Sequence, residues 1–196
     1  MQPEKLILAS GSPRRKELLT DLGLSFDVCV SDVLEDDRAE LNPKDLVLNN
    51  AILKAESVMP KFANALVVGS DTTVSMEGTI FSKPSNLDEA AAMLSKLSGR
   101  WHQVYTAVSL RWMEGSYVED FYEVSDVCFK ELTQSDIKEY HALVNPLDKA
   151  GAYGIQEERD RIIASIRGSF ETIMGFPTNA FLRHLKEQGF DFSKAN

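Results

Sequence analysis

The chain has 196 residues, 43% of them hydrophobic and 26% charged, a composition expected of a soluble globular protein with room for one sizeable core, so a single domain over 1–196 is predicted. A formal net charge of −9 argues against a general nucleic-acid binder, which carries a basic face, and no 18-residue apolar run offers a membrane span. The opening MQPEKLILAS sets an acid and a lysine before a short apolar run, which predicts no signal peptide and a cytoplasmic protein.

KLILA at 5–9 reads as a buried strand. After it, Ser12 and Pro13 suit the N-cap and first position of a helix, because a serine hydroxyl can accept an orphan amide and proline has no N–H to lose. Leu18, Leu19 and Leu22 form the apolar stripe of that helix and Gly23 its stop. Its first turn carries Arg14, Arg15 and Lys16, although a helix N-terminus is already positive. A strand, a Ser/Gly loop and a helix start together form an anion site, and arginines add bidentate donors, so a bound polyanion would account for the cations. A solvated basic turn, tolerated at small cost, is the alternative. No GxxxxGK[ST] phosphate loop is present.

FDVCV at 26–30 predicts a second strand, and the acidic run SDVLEDDRAE, which contains Glu35, reads by itself as a solvated loop. Cys29 and Cys128 lie in apolar strand-like runs and make neither a disulfide framework nor a metal set. From Pro43 to Pro60, Val47, Leu48, Ala51, Ile52, Ala55, Val58 and Met59 recur at helical spacing. Lys54 sits on the border of that stripe, where it either snorkels on the surface or reaches a cleft.

ALVVGSD at 65–71 is a β-branched run whose C-terminal end is Asp71. A carboxylate there can hold a divalent cation or serve as general base, or it can cap a turn. TTVSMEGTIFSKP predicts a hairpin turning at Glu77-Gly78, with Lys83 held in extended backbone by Pro84. A helix over 87–97 with a Ser98-Gly99 stop follows, then strands over 102–113 and 117–130 joined at Glu114-Gly115, and a helix over 134–143. The loop DKAGAYGIQ has the small residues of a backbone packed on something flat, and the Gln156 amide could read a base edge. A strand over 161–167 and a helix over 178–188 close the chain. His102, His141 and His184 have no metal spacing, and no GxSxG is present. The alternation predicts an α/β protein with a mixed sheet and a cleft across it.

Taken together, LILASGSPRRKELL at 6–19, VVGSDTTV at 67–74, SKPSNLDEAAAMLSKLSGRWHQVYTAV at 82–108, NPLDKAGAYGIQ at 145–156 and IRGSFETIMGFPTNAF at 166–181 resemble the Maf family of nucleotide pyrophosphatases. The resemblance implies an elongated mixed β-sheet flanked by helices, with two lobes and a central cleft, similar to the inosine triphosphatases. It also implies a house-cleaning hydrolase that cleaves a nucleoside triphosphate between the α and β phosphates with a divalent cation, Mg²⁺, Mn²⁺ or Co²⁺. By match, Asp71 is the proton acceptor, Glu35 and Asp71 are the metal residues, and Lys54 and Lys83 complete the catalytic set. Ser10, Ser12, Arg14 and Arg15 are the phosphate-binding residues.

Arg14, Thr72 and Gln156 are similar to the specificity residues of the branch acting on dTTP and UTP. The 7-methyl-GTP branch has an aromatic, a Gln and a Glu there, and a carboxylate suits a cationic purine better than a neutral amide does. Departures from the family pattern are Ser82 for the Gly of Gly-Lys-Pro, Thr106-Ala107 for Thr-Gly, SDT for ADT, and QEERDRII without its glycine-rich start. Hydrolysis of 7-methyl-GTP or of inosine or xanthosine triphosphate, and nucleotide-dependent regulation of septum formation, are the alternatives. The expected partner is a small nucleotide, with no nucleic acid or membrane, and a homodimer is left open.

Overall fold

The apolar run near the start becomes β1 (Lys5–Leu8), whose last three residues are buried because strands flank it on both edges and helices cover both faces. The computed structural model describes residues 2–36 and 41–193. The remaining strands are β2 (Asp27–Val28), β3 (Ala65–Met76), β4 (Thr79–Phe81), β5 (Trp101–Trp112), β6 (Tyr117–Phe129) and β7 (Ile163–Arg167). They form one seven-stranded sheet in the order β2-β1-β3-β5-β6-β7, with β4 beside β3. The pairs of β1 are parallel and all the others antiparallel, so the sheet is mixed, as expected.

β3 organises the rest. One of its edges pairs with β5 from Val67 to Ser75. The other is shared: β1 pairs residues 65–68 and β4 pairs residues 74–76. Among the described residues no strand pairs with that edge between Gly69 and Thr73, and the loop after β1 turns away there.

Alternation along β3 assigns its odd residues to one face and its even residues to the other. On the odd face lies α2 (Pro43–Val58), which packs Ala55 and Val58 against Ile7, Ala65 and Val67, and Val47 and Ala51 against Ala107. The approach is close: a Cβ on Gly69 would stand 2.1 Å from the Ala51 carbonyl oxygen and 2.8 Å from the Ala55 nitrogen. Only glycine admits the helix at this distance. The main core fills the even face, where α1 (Pro13–Asp21), α3 (Leu87–Leu97), α4 (Gln134–Leu143) and α7 (Thr178–Gln188) bring Leu19, Leu94, Tyr140 and Phe181 against Leu66, Val68, Val108 and Phe129. Helix starts are set locally: Asn42 accepts from Lys44 N–H, Asn86 accepts from Glu89 N–H, and Thr133 with Asp136 makes a capping box.

Several expectations are revised. β3 does not end at Asp71 but runs unbroken to Met76, because Thr72, Thr73 and Ser75 find cross-strand partners on β5 that keep a polar stretch in the sheet. The hairpin does turn at Glu77-Gly78, with positive φ at both residues (53° and 79°) as a two-residue type I′ turn requires. The last strand begins later than expected, since α5 (Arg159–Ile162) takes its first residues. α6 (Phe170–Met174) was not anticipated; it is capped by Ser169 and stopped by Gly175, and five residues are too few to show a period. Ser12 occupies the N-cap of α1 in extended backbone, yet its hydroxyl makes no capping bond. Cys29 and Cys128 are free thiols, and no helix of the described residues is long and apolar enough to cross a membrane.

Candidate active site

The unpaired edge of β3 is where charge collects. Ala9 N–H still donates to Val68 O at 2.8 Å, and from there residues 10–12 leave the sheet and aim the start of α1 across the gap. Because the gap is open to both faces, Asp71 reaches it from the α2 side and Thr72 from the α1 side. The candidate site residues Ser10, Ser12, Arg14, Arg15, Glu35, Lys54, Asp71, Thr72, Lys83 and Gln156 line one cavity of about 340 Å³, whereas Lys16, the third cation of the helix start, is exposed and does not line it.

On the α2 side, Lys54 is buried rather than snorkelling, only 7% exposed. Its Nζ donates to Asp71 Oδ1 at 2.8 Å and to Ser70 O at 3.3 Å, and lies 3.0 Å from Glu35 Oε2. One ammonium thus serves two carboxylates from different segments. Burial alone would push Glu35 up, but Lys54, helped by Lys83, holds its carboxyl below the ordinary value. Lys83 itself is exposed on the cavity wall.

Asn50, one helical turn before Lys54, was not anticipated. Its Nδ2 donates to Asp71 Oδ2 at 3.1 Å and to Asp36 O at 2.8 Å, while its Oδ1 accepts from Asp36 N–H at 2.8 Å. It therefore ties the segment carrying Glu35 to Asp71. The signal was a buried-side asparagine at i−4 from the lysine, a spacing that shares a helix face. A second cavity of about 240 Å³ continues the cleft past Asp71, lined by Asp36, Asn50, Thr73 and Ser82 and sharing Glu35 and Lys83 with the first.

On the α1 side, Arg15 is buried and fully engaged in orientation: Nε donates to Gly175 O (2.9 Å), Nη1 to Ser10 Oγ (3.1 Å) and Nη2 to Thr72 Oγ1 (3.1 Å). Burial draws its pKa below the ordinary value, and Asp71 and Glu35 oppose that shift. Ser10 Oγ also accepts from Ser12 N–H at 3.2 Å. Thr72 Oγ1 bonds Thr106 Oγ1 at 3.0 Å as well, so Thr72 acts on the cavity by bracing Arg15. Arg14 turns to the rim, where Nη1 stands 3.5 Å from Asp148 Oδ2. That pair links the cationic end to the loop that ends in Gln156.

The far end of the cavity is neutral only in balance, since the buried Lys149 ammonium there is paired with Asp148 at 2.8 Å and Glu157 at 3.2 Å. Val74, Val104, Ile155, Ile173 and Met174 make an apolar wall, and Gln156 Oε1 is buried with no hydrogen-bond partner among the described residues. A lone acceptor in an apolar slot selects a ligand that brings a donor. The opposite end, with a helix N-terminus, an oriented guanidinium and two lysines, suits a chain of phosphates. Among the described residues there is no group of three or more His, Cys, Asp or Glu that could hold a metal by itself. Glu35 and Asp71 nevertheless fit a hard divalent cation, because magnesium takes one or two carboxylates and completes its shell with substrate phosphates and water.

A family model described as "Maf-like protein" matches residues 5–188. The dTTP/UTP pyrophosphatase of Bacillus cereus (strain B4264) is 43% identical over 191 residues, covering 97% of this chain and 99% of that protein. A protein of the same name from Bacillus anthracis is 42% identical over 191 residues, again 97% and 99%. Among solved structures, the Staphylococcus aureus Ham1 protein is similar with a TM-score of 0.53 and 17% identity, over 94% of this chain and 100% of that one, a likeness of fold alone.

Proposed function

The chain belongs to the Maf family, and from that premise we propose that it hydrolyses dTTP and UTP between the α and β phosphates, releasing a nucleoside monophosphate and pyrophosphate as a house-cleaning step on the cytoplasmic nucleotide pool. The observation that carries the reading is one cavity in which Asp71, bonded to Lys54, faces the cationic start of α1.

The triphosphate lies along residues 10–15, where the amides of the uncapped helix start and Arg15 orient it and Arg14 closes the rim. Asp71 takes the proton of the attacking water, its carboxylate aimed by Asn50 on one oxygen and Lys54 on the other. Lys54 and Lys83 counter the negative charge that grows on the leaving pyrophosphate. Glu35 and Asp71 would hold a divalent cation, Mg²⁺, Mn²⁺ or Co²⁺, which would supply further neutralisation of phosphate charge and polarise water.

Selection of pyrimidines rests on Gln156, whose buried Oε1 can accept from the N3–H of uracil or thymine. A 7-methylated guanine is cationic and finds no carboxylate among the specificity residues Arg14, Thr72 and Gln156, which supports the pyrimidine reading over the 7-methyl-GTP one.

The test is a nucleotide panel with Mg²⁺ or Mn²⁺, with pyrophosphate and orthophosphate measured separately. Pyrophosphate release greatest from dTTP and UTP is expected; orthophosphate release, or preference for the methylated purine or inosine triphosphate, overturns the corresponding part. Asp71→Asn should lower kcat by at least about 10²-fold and retain nucleotide binding. Unchanged turnover in that variant would remove Asp71 from the mechanism.

A further inference from the structure

The wall that presents Gln156 is the least regular part of the cavity. Gly151 and Ala152 both have left-handed backbone, at φ 69° and 63°, and residues 153–156 belong to neither helix nor strand. Ala152 is buried in a conformation that disfavours a side chain, so the path of this segment is imposed from outside. Sheet hydrogen bonds do not supply the constraint.

Beside a His141 Nε2 contact with the Ala152 carbonyl at 3.3 Å and a Lys149–Glu157 ion pair at 3.2 Å, two fully buried side chains hold the stretch around Gln156. Tyr140, on α4, accepts from Gly154 N–H at 3.1 Å, and its own hydroxyl stands 3.4 Å from the carbonyl oxygens of Gly154 and Glu157. Gln156 is thereby bracketed on both sides. His102, on β5, bonds the Tyr153 hydroxyl through Nε2 at 2.9 Å, and Phe129 packs edge-on against both rings at 4.8 Å. Tyr153 lines the cavity, whereas Tyr140 and His102 stand behind it. Each bond joins the irregular segment to a regular element of the main core.

We infer that Tyr140 and His102 are positioning residues for the nucleoside end of the site: they hold 153–157 so that the Gln156 amide meets the base in one orientation. The inference rests on the proposed pyrophosphatase reading and deepens it. Neither residue touches Asp71, Lys54 or Arg15, so the cationic end is served independently. A packing role alone would leave the choice of nucleotide unchanged when only a hydroxyl is removed. A positioning role would not.

Tyr140→Phe keeps the ring and deletes the hydroxyl. It should raise KM for dTTP and UTP about three- to tenfold, the equivalent of one buried hydrogen bond, with kcat within about twofold of wild type. Calorimetric affinity for dTMP should fall by the same factor while affinity for inorganic pyrophosphate stays constant. Tyr153→Phe removes the hydroxyl that His102 bonds and should act in the same direction, which keeps the test alive should Tyr140→Phe fail to fold. An active wild type with KM and dTMP affinity unmoved in these variants overturns the inference alone, as does a parallel loss of pyrophosphate affinity. A wild type without pyrophosphatase activity overturns the functional reading, and the inference with it.

Discussion

The two ends of the cleft are built by different means. At the cationic end, Arg15, Lys54, Asp71 and Glu35 come from separate segments, and each charge is held by at least one partner of opposite or polar character. At the neutral end the wall is mainly backbone and apolar side chain, with Lys149 paired to Asp148 and Glu157, and it is shaped by left-handed residues and two buried hydroxyl contacts. Charge that is buried must be paired, so the first end is a network in which each deletion strands a partner. In the proposed reading, the second can change its preference through one amide without disturbing the first.

The hardest blow to the contrast is Lys54→Met. It leaves Asp71 and Glu35 facing each other without their shared ammonium, and should cost about 3 kcal/mol of stability, since removing one partner strands a buried charge. Turnover should fall at least about 10²-fold, because in the proposed mechanism the same ammonium serves the leaving pyrophosphate. Affinity for dTMP, measured by calorimetry, should survive. Loss of dTMP binding in a folded variant would mean that the two ends are one unit.

Acid should act first on the neutral end. Burial lowers the pKa of His102 from 6.5 to about 4. Between those values the unfolded chain binds a proton that the folded chain refuses, so stability present above pH 6.5 is lost as pH falls toward 4. The loss amounts to about 3 kcal/mol at most. Denaturant unfolding from pH 7 to 4 should show this limb, and His102→Gln should flatten it; an identical slope in both proteins would refute it.

Gly69→Ala tests the geometry beneath the cationic end. The added methyl meets the Ala51 carbonyl and must push α2 outward, carrying Lys54 and Asn50 away from Asp71. A stability loss of about 1–3 kcal/mol is expected, with kcat reduced more than dTMP affinity. Normal melting temperature and kcat would show that the helix is not held by this approach.

Gln156→Glu is the mildest and the most selective change. Replacing the neutral amide should lower kcat/KM for dTTP and UTP about tenfold, the cost of one mismatched polar contact, with 7-methyl-GTP affected less. Products should remain a monophosphate and pyrophosphate. A constant ratio between the two nucleotides would remove Gln156 from specificity.

Much of the architecture was legible because hydrophobic period and turn chemistry are local properties. Pro43 to Val58, the Glu77-Gly78 hairpin and the capped starts at Asn86 and Thr133 each carry their own instructions in adjacent residues. The cations of α1 were conspicuous for the same reason, since three positive charges at a positive dipole need an explanation nearby. Short elements were not legible: α5 and α6 have too few residues for a period to emerge.

Hydrophobic period and turn chemistry mark the longer helices and strands, and which charged residues stand at their ends. Which of those charges are buried is settled by packing between segments distant in the chain. Lys54 on its helix is a border residue, and it becomes an interior one because Gly69 admits α2 close to β3 and Asp71 waits 2.8 Å from its ammonium. Asp71 closes an apolar run, yet β3 continues past it because Thr72 and Thr73 find β5 at Thr106 and Tyr105. Asn50 carries only the faint signal of its i−4 spacing from Lys54, and Tyr140 and His102 carry none, since each of the three is held through an atom far away in the chain. Burial of a polar group is favourable only when its partner is present, and that partner is supplied by the fold.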